Sequence, residues 1–162
     1  GVQTCALPIY SLIKCENKKS QYGNTYRACI SLSNVRQDEF NAFSYYEVVE
    51  EFKYNNEYYS LVQVRIFSGK THQIRLHMLS LGHCVVSDRV YCDDISKNKL
   101  ISDRLFLHNY YLSFTWVNEK DYEFIINLPK DLNECLKKLK SIKKYKSKDD
   151  IKKLIEVNKP SF

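Results

Sequence analysis

Four polar side chains that could bind an anion lie close together near the middle of the chain. Lys70, His72, Gln73 and Arg75 fall within about one and a half turns if this stretch is helical. The N–H groups of a first helical turn lack partners within the helix, so they add to the attraction of the cations. Such a cluster suits a phosphate or a carboxylate. The alternative is a structural role, in which Arg75 forms an internal ion pair and His72 a satisfied hydrogen bond.

The residues before the cluster predict a strand followed by a turn. From Tyr59 to Phe67 apolar and polar residues alternate, as in a strand with one buried face. Ser68 and Gly69 then end the strand. The sequence S-G-K-T is not a phosphate-binding P-loop, because that motif needs a glycine five residues before Gly69, where Val64 stands.

The residues of the cluster and those after it predict a short helix. Thr71 is the predicted N-cap, because its hydroxyl can accept a hydrogen bond from an N–H of the first turn. Apolar residues recur at helical spacing and predict the buried face: Ile74, Met78 and Leu81. Gly82 is suited to the left-handed conformation that ends many helices. The cluster is therefore predicted to open a helix that follows a strand and a glycine turn.

The string SGKTHQIRLHMLSLGHCVVSDRVY, residues 68–91, resembles the third motif of the RluA-type RNA pseudouridine synthases. That motif runs roughly T-G-R-x-H-Q-I-R-x-H-x-x-x-x-G-H-P-I-x-G-D-x-x-Y-G. The matching positions, in uninterrupted register, are Gly69, His72, Gln73, Ile74, Arg75, His77, Gly82, His83, Asp88 and Tyr91. Two later segments resemble the family's R-x-x-L-H and L-P-x-D-L motifs: Arg104–His108 and Leu128–Leu132. The length of the uninterrupted match makes the resemblance specific.

The chain departs from the family pattern at four positions near this motif. Lys70 replaces an arginine, which keeps the charge but loses the two-pronged donor. Cys84 replaces a proline, and Ser87 and Cys92 replace glycines beside Asp88. These changes predict a divergent loop. In the family the aspartate of this turn is structural, and we expect Asp88 to cap backbone N–H groups.

The resemblance implies an enzyme that isomerises uridine to pseudouridine in rRNA or tRNA, without a metal or organic cofactor. It gives Arg75 the role of the basic residue that holds the catalytic aspartate. Lys70, His72 and Gln73 are the predicted RNA-binding residues. A monomer that binds RNA and no membrane is expected. An inactive RNA-binding relative is the alternative function, and a structural protein without RNA contact is a third.

The chain lacks the family's H-R-L-D-x-x-T-S-G motif, which carries the catalytic aspartate. The start of the chain resembles the end of the family's second motif, K-x-Y-x-A-L-V-x-G. In the best register Ser11–Ile13 matches A-L-V, so the motif tyrosine falls at Ile9. The resemblance makes the motif tyrosine catalytic. Tyr10 is its neighbour and the catalytic candidate in this chain, and would be the tyrosine itself only in a slipped register. We therefore expect the C-terminal part of a catalytic domain without its nucleophile.

Residues 1–9, GVQTCALPI, resemble a translated sequencing adapter and are excluded from fold reasoning. Residues 10–146 are predicted to be the C-terminal portion of the catalytic domain, and residues 147–162 a basic tail. The net charge of +6 lies entirely in residues 130–159, which hold eleven lysines and five acidic residues. Clustered lysines attract nucleic-acid phosphates, although such a run is usually a solvated helix face.

The composition indicates an intracellular protein, in the cytoplasm or an organelle. No apolar run is long enough to cross a bilayer, and no signal-peptide pattern is present. The six cysteines form no C-x-x-C pair, which argues against a zinc ribbon or a thioredoxin-type site. His83 and Cys84 with Cys92 could be imagined as metal ligands, but free packing thiols are the favoured interpretation.

The remaining patterns predict an α+β fold with a mixed, largely antiparallel sheet and flanking helices, as in the pseudouridine synthase catalytic domain. A loop and an edge strand are expected within residues 16–42. The expected strands and helices follow in chain order: a hairpin of strands 42–53 and 58–67, a short strand 83–86, strands 105–116 and 122–128, and helices 131–146 and 151–157.

Overall fold

The computed structural model describes the backbone of residues 7–20, 23–31, 40–92 and 102–146, and the side chains of the last two ranges. The elements are β1 (Leu7–Ser20), β2 (Gly23–Ser31), β3 (Ala42–Tyr54), β4 (Glu57–Ile66), α1 (Gln73–Ser80), β5 (Tyr111–Thr115), β6 (Asp121–Ile125), α2 (Lys130–Lys137) and β7 (Lys140–Lys144). Every pairing between these strands is antiparallel. The predicted α+β class is confirmed.

The long strand β3 organises the larger sheet, whose order is β2-β1-β3-β4. Along one edge of β3, strand β1 pairs with its first part and β7 with its second part. Strand β4 pairs along the opposite edge. The first part of β3 therefore lies between two strands, and the site described below is built against it.

The hairpin of β3 and β4 forms where the sequence predicts it. Asn55 and Asn56 both have positive φ, 46° and 64°, as a type I′ turn requires. Asparagine tolerates this conformation better than most residues. The register shifts between Val48 and Glu50, which marks a bulge in β3. The predicted hairpin is confirmed, and its turn is tighter than the sequence suggested.

The first two strands also form a hairpin, which differs in part from the prediction. The expected edge strand is β2, but residues 16–20 belong to β1 and not to a loop. Residues 7–9 lie in β1 as well, although they were excluded from the prediction. Their origin from an adapter stays a prediction, and residues 32–39 lie outside the described part of the chain.

The predicted helix over residues 131–146 is wrong in its second half. Helix α2 ends at Lys137, and residues 140–144 form β7 against β3. Side chains of β3 hold this segment: Lys146 Nζ lies 2.5 Å from a carboxylate oxygen of Glu47, and the Tyr145 hydroxyl donates to Glu51 at 2.9 Å. Leu132 and Cys135 of α2 are buried, whereas Ile142 of β7 is exposed. The expected helix 151–157 lies outside the described residues.

The third hairpin, β5 with β6, confirms two predicted strands, but both are shorter than expected. Its turn contains Glu119 with φ 60°, and Asp121 belongs to β6. One face carries ring contacts in which Phe114 stacks on Tyr122 and on Phe124. The strand predicted over residues 83–86 is wrong, since the chain there is irregular and enters a turn.

The core beneath the site consists of residues from three parts of the chain. Ala42, Leu76 and Tyr91 are buried together, and Leu79 packs against them. Helix α1 is thereby fixed on the start of β3. Among the described helices, none has the length and apolar character needed to cross a membrane.

Candidate active site

The loop between β4 and α1 is held by the side chain of Gln73. Its Oε1 accepts hydrogen bonds from the Ser68 hydroxyl at 2.9 Å and from the Lys70 N–H at 3.1 Å. Its Nε2 donates to the Phe43 carbonyl at 2.9 Å and to the Ser44 hydroxyl at 3.0 Å. This one amide joins the loop, the helix and β3.

Gln73 is only 3% exposed, and its four hydrogen-bonding positions are filled. The RNA contact predicted for Gln73 would require at least one of these bonds to break. Sequence reasoning placed a polar residue at a helix start, where exposure is common. No signal in the local sequence showed that β3 supplies partners for it.

The helix start differs from the prediction. The residue before the helix is His72, with φ 55°, and among the described residues no side chain caps the first turn. The prediction that Thr71 is the N-cap is therefore wrong. Instead of a cap, the Gln73 side chain fixes the loop before the helix. Lys70, Thr71 and His72 of that loop are exposed. Lys70 and His72 are open to solvent, and their contact with RNA stays a prediction.

Arg75 forms an ion pair with Asp88. Its Nε donates to Oδ2 at 2.7 Å and its Nη2 to Oδ1 at 2.6 Å, so the contact has the two parallel bonds of a guanidinium–carboxylate fork. The Arg75 side chain is 12% exposed and that of Asp88 only 1%. The structural alternative considered for Arg75 is thus present in the structure. Its predicted role toward a catalytic aspartate stays a prediction.

Asp88 also caps the turn that follows it, as predicted. Its Oδ1 accepts from the N–H groups of Val90 at 3.0 Å and Tyr91 at 3.1 Å. Burial by itself would raise the pKa of Asp88, but the bonds from Arg75 and the two N–H groups outweigh it and lower that pKa. The same ion pair raises the pKa of Arg75. Both groups are therefore charged at neutral pH.

Tyr91 connects this ion pair to the exposed loop. Its ring lies under the guanidinium of Arg75, with 4.8 Å between Cζ and the ring centroid. Its hydroxyl lies 2.8 Å from Nδ1 of His72. Burial, and then the charge of Arg75, lower the pKa of His72. Sequence reasoning included Tyr91 only as a motif match, because a hydrogen bond across nineteen residues leaves no local pattern.

No protein-family model matches the chain. The chain is 34% identical over 119 residues to a MATH and LRR domain-containing protein of Plasmodium falciparum, over 72% of this chain and 1% of that protein. It is 42% identical over 76 residues to the ribosomal large subunit pseudouridine synthase D of Blochmanniella floridana, over 46% of this chain and 22% of the relative.

A solved human structure, RNA Pseudouridylate Synthase Domain Containing 1, has the same fold. Its TM-score is 0.70 at 24% identity, over 98% of this chain and 62% of that chain. These similarities support the RluA-type pseudouridine synthase family for this chain. It spans less than two thirds of the length of both the Blochmanniella relative and the human chain.

The other two segments that resemble RluA-type motifs meet each other in the structure. Arg104, from R-x-x-L-H, forms a two-pronged ion pair with Asp131, from L-P-x-D-L. Both side chains are about half exposed. His108 Nε2 lies 3.1 Å from the Ile126 carbonyl oxygen. These contacts tie the segment before β5 to the start of α2 and to the residue that follows β6.

The structure places Tyr10 of the second RluA-type motif in β1, where its backbone lies opposite Phe43. Ile9 lies opposite Ser44. Phe43 and Ser44 are the residues of β3 that hold Gln73, so β1 runs beside the part of β3 that supports α1. The catalytic role assigned to Tyr10 stays a prediction. Within the described ranges, no group of three or more His, Cys, Asp or Glu side chains could hold a metal ion.

The buried face of α1 is more polar than the family motif alone suggested. His77 is fully buried, and its Nδ1 lies 2.8 Å from the Ser44 hydroxyl, which also accepts from Gln73. Of the three residues predicted to form the buried face, Met78 is buried and Leu81 is 37% exposed. Gly82 ends the helix with φ 81° as predicted. A hydrogen-bonded network on Ser44 therefore anchors the helix.

The burial of His77 predicts a pH-dependent stability. Burial lowers the pKa of His77 below its ordinary value of 6.5. Below pH 6.5 the unfolded chain binds a proton that the folded chain does not, so stability should fall as pH drops from 7.5 to 5.5. The slope for one proton is at most about 1.4 kcal/mol per pH unit. Urea unfolding at several pH values measures it.

His77→Gln should remove part of that pH dependence while lowering stability at every pH. His72, whose pKa is also lowered, acts in the same direction. The matched variant His72→Gln therefore measures its share. Equal pH dependence in the wild-type and His77→Gln proteins would contradict the prediction.

Proposed function

We propose that this chain is the C-terminal part of an RNA pseudouridine synthase catalytic domain, and that it is inactive alone because it lacks the catalytic aspartate. The observation that carries the proposal is the guanidinium of Arg75, which is fixed on one side by Asp88. Its Nη1 has no hydrogen-bond partner among the residues that the structure describes. That nitrogen can donate to the carboxylate of an aspartate from another part of the protein.

The reaction needs a charged, correctly aimed carboxylate. Uracil is detached from C1′ of its ribose, turned, and rejoined through C5. In the family the aspartate initiates glycosidic cleavage and a tyrosine helps to remove the C5 proton. A guanidinium beside the aspartate favours its ionised form and fixes its direction by hydrogen bonds. Arg75 takes this role here, and no metal or organic cofactor is required.

The substrate of the complete enzyme is a uridine in rRNA or tRNA. A base stacked in a helix hides the reacting atoms, so the uridine must be flipped out. Lys70 and His72 are exposed on the loop that precedes α1 and carry the backbone contacts in this proposal. The lysines of β7 and of the segment after it add attraction that does not depend on sequence. The protein acts as a monomer.

Recovery of the full-length transcript tests the proposal. We expect the sequence upstream of Tyr10 to encode an H-R-L-D-like motif. The full-length protein should release tritium from RNA labelled at C5 of uridine, whereas residues 10–162 should not. An upstream sequence without such a motif would contradict the truncation.

A catalytically inactive RNA-binding relative is the second candidate, and the occupied fork of Arg75 favours it. In that case Arg75 serves only the fold, and the natural protein has its own start methionine and no adapter-like prefix. RNA binding without tritium release by the complete protein would support this function. Failure to bind RNA even at low ionic strength would contradict both candidates.

A further inference from the structure

We propose that Asp88 is a positioning residue for catalysis, because it fixes the direction in which Arg75 presents its remaining N–H groups. The inference rests on the function proposed above and deepens it. The mechanism uses Arg75 to hold a carboxylate but does not say what holds Arg75. The structure offers a set of contacts for that task, formed by Asp88, Tyr91 and His72.

The contacts restrict the guanidinium in two directions. The Nε and Nη2 bonds to Asp88, at 2.7 and 2.6 Å, fix the rotation of the planar group within its own plane. The ring of Tyr91 lies against one face, with 4.8 Å between Cζ and the ring centroid. A mobile arginine side chain loses its rotational freedom only when it binds a partner. The contacts with Asp88 and Tyr91 remove that freedom beforehand, which lowers the entropic cost of binding a second carboxylate.

Asp88 is itself held firmly. Its Oδ1 accepts from the N–H groups of Val90 and Tyr91, and its own N–H donates to the Val85 carbonyl at 3.0 Å. The turn contains Ser87 in the left-handed region, with φ 61°, and the Ser87 hydroxyl donates to the Ser102 carbonyl. The carboxylate thus belongs to a turn tied to a distant part of the chain.

The same contacts link the exposed loop to the guanidinium. His72 Nδ1 and the Tyr91 hydroxyl lie 2.8 Å apart, and the two rings meet edge to face. His72 is exposed, whereas Tyr91 is buried. Among the described residues, Nη1 of Arg75 has no hydrogen-bond partner, and Nη2 uses one of its two N–H groups for Asp88. A second carboxylate therefore approaches the edge of the guanidinium formed by Nη1 and the second N–H of Nη2.

Asp88→Asn in the full-length protein tests this inference. The amide oxygen can still accept from Val90 and Tyr91, so the turn keeps its cap, while the amide N–H₂ cannot accept from Arg75. We expect kcat for tritium release to fall at least about tenfold, with KM for RNA changed less than about threefold. A merely structural role would lower Tm without changing kcat at temperatures where the variant is folded. Asp88→Glu should recover part of kcat, because it restores an acceptor for Arg75.

Asp131→Asn is the matched control. It removes the other two-pronged aspartate–arginine pair of the described chain, which is exposed and lies on another motif. Its kcat should equal that of the wild type. An active wild type with unchanged kcat in Asp88→Asn would overturn this inference alone. An inactive wild type would instead overturn the proposed function.

A measurement on the wild-type protein decides the geometry even where Asp88→Asn does not fold. In ¹⁵N-labelled full-length protein, the Arg75 Nε–H and Nη resonances should be resolved. The two hydrogen bonds to Asp88 slow the rotation of the guanidinium and the exchange of its protons with water. The exposed Arg104 should show averaged Nη resonances. Averaged resonances for Arg75 would overturn the inference.

Discussion

Replacing Arg75 by methionine in the full-length protein is expected to abolish tritium release from C5-labelled RNA while RNA binding survives. Methionine keeps much of the volume but removes every donor that could hold the catalytic carboxylate. Loss of one preorganised donor in an active site typically costs about 100- to 1,000-fold in kcat. We therefore expect a loss of at least about 100-fold. Turnover at the wild-type rate would contradict the role assigned to Arg75.

The same substitution leaves Asp88 buried without its cation, so stability must be measured beside activity. Removing one partner of a buried ion pair costs about 3–5 kcal/mol. Thermal unfolding of the variant shows whether lost turnover reflects lost structure. Arg75→Lys separates charge from geometry, because lysine keeps the cation without the fork. Arg104→Met is the control, and turnover there should be unchanged.

Sequence patterns predicted those parts of the site that depend on neighbours in the chain. The β3–β4 hairpin, the end of α1 at Gly82 and the backbone cap by Asp88 are all local, and each is confirmed. The ion pair of Arg75 with Asp88 spans thirteen residues. Sequence reasoning considered an internal ion pair for Arg75, but it could not name the partner.

The errors have a common physical cause, which is the contribution of distant partners. The second half of the predicted helix 131–146 is instead β7, whose backbone pairs with β3. Glutamates of β3 also contact a lysine of β7 and the tyrosine and lysine that follow it. The apolar periodicity of α1 did not predict that Gln73 and His77 are buried. A buried polar residue is stable only where another group forms a hydrogen bond with it, and here that group is the distant Ser44. A helical pattern in one segment contains no information about such partners.

Gln73→Leu is expected to destabilise the fold by about 2–5 kcal/mol in urea unfolding. Leucine fits the volume but removes the four hydrogen bonds of the Gln73 amide, including the one from the Lys70 N–H. Each buried polar group that loses its hydrogen bond costs about 1–3 kcal/mol. Because the amide joins the loop to β3, the exposed segment from Lys70 to His72 should also become more mobile, and RNA binding should weaken.

Thr71→Ala is the matched control, because the sequence assigned the helix cap to Thr71 and the structure does not. A true N-cap threonine loses about 1 kcal/mol on this substitution. Since no cap bond from Thr71 to the described first turn is present, the expected loss is below about 0.5 kcal/mol. A small effect in Gln73→Leu together with a large one in Thr71→Ala would mean that the helix start is held as the sequence pattern predicted. The opposite result would show that the buried amide of Gln73 sets the shape of the loop before Arg75, through partners on β3 that lie 30 and 29 residues away in sequence.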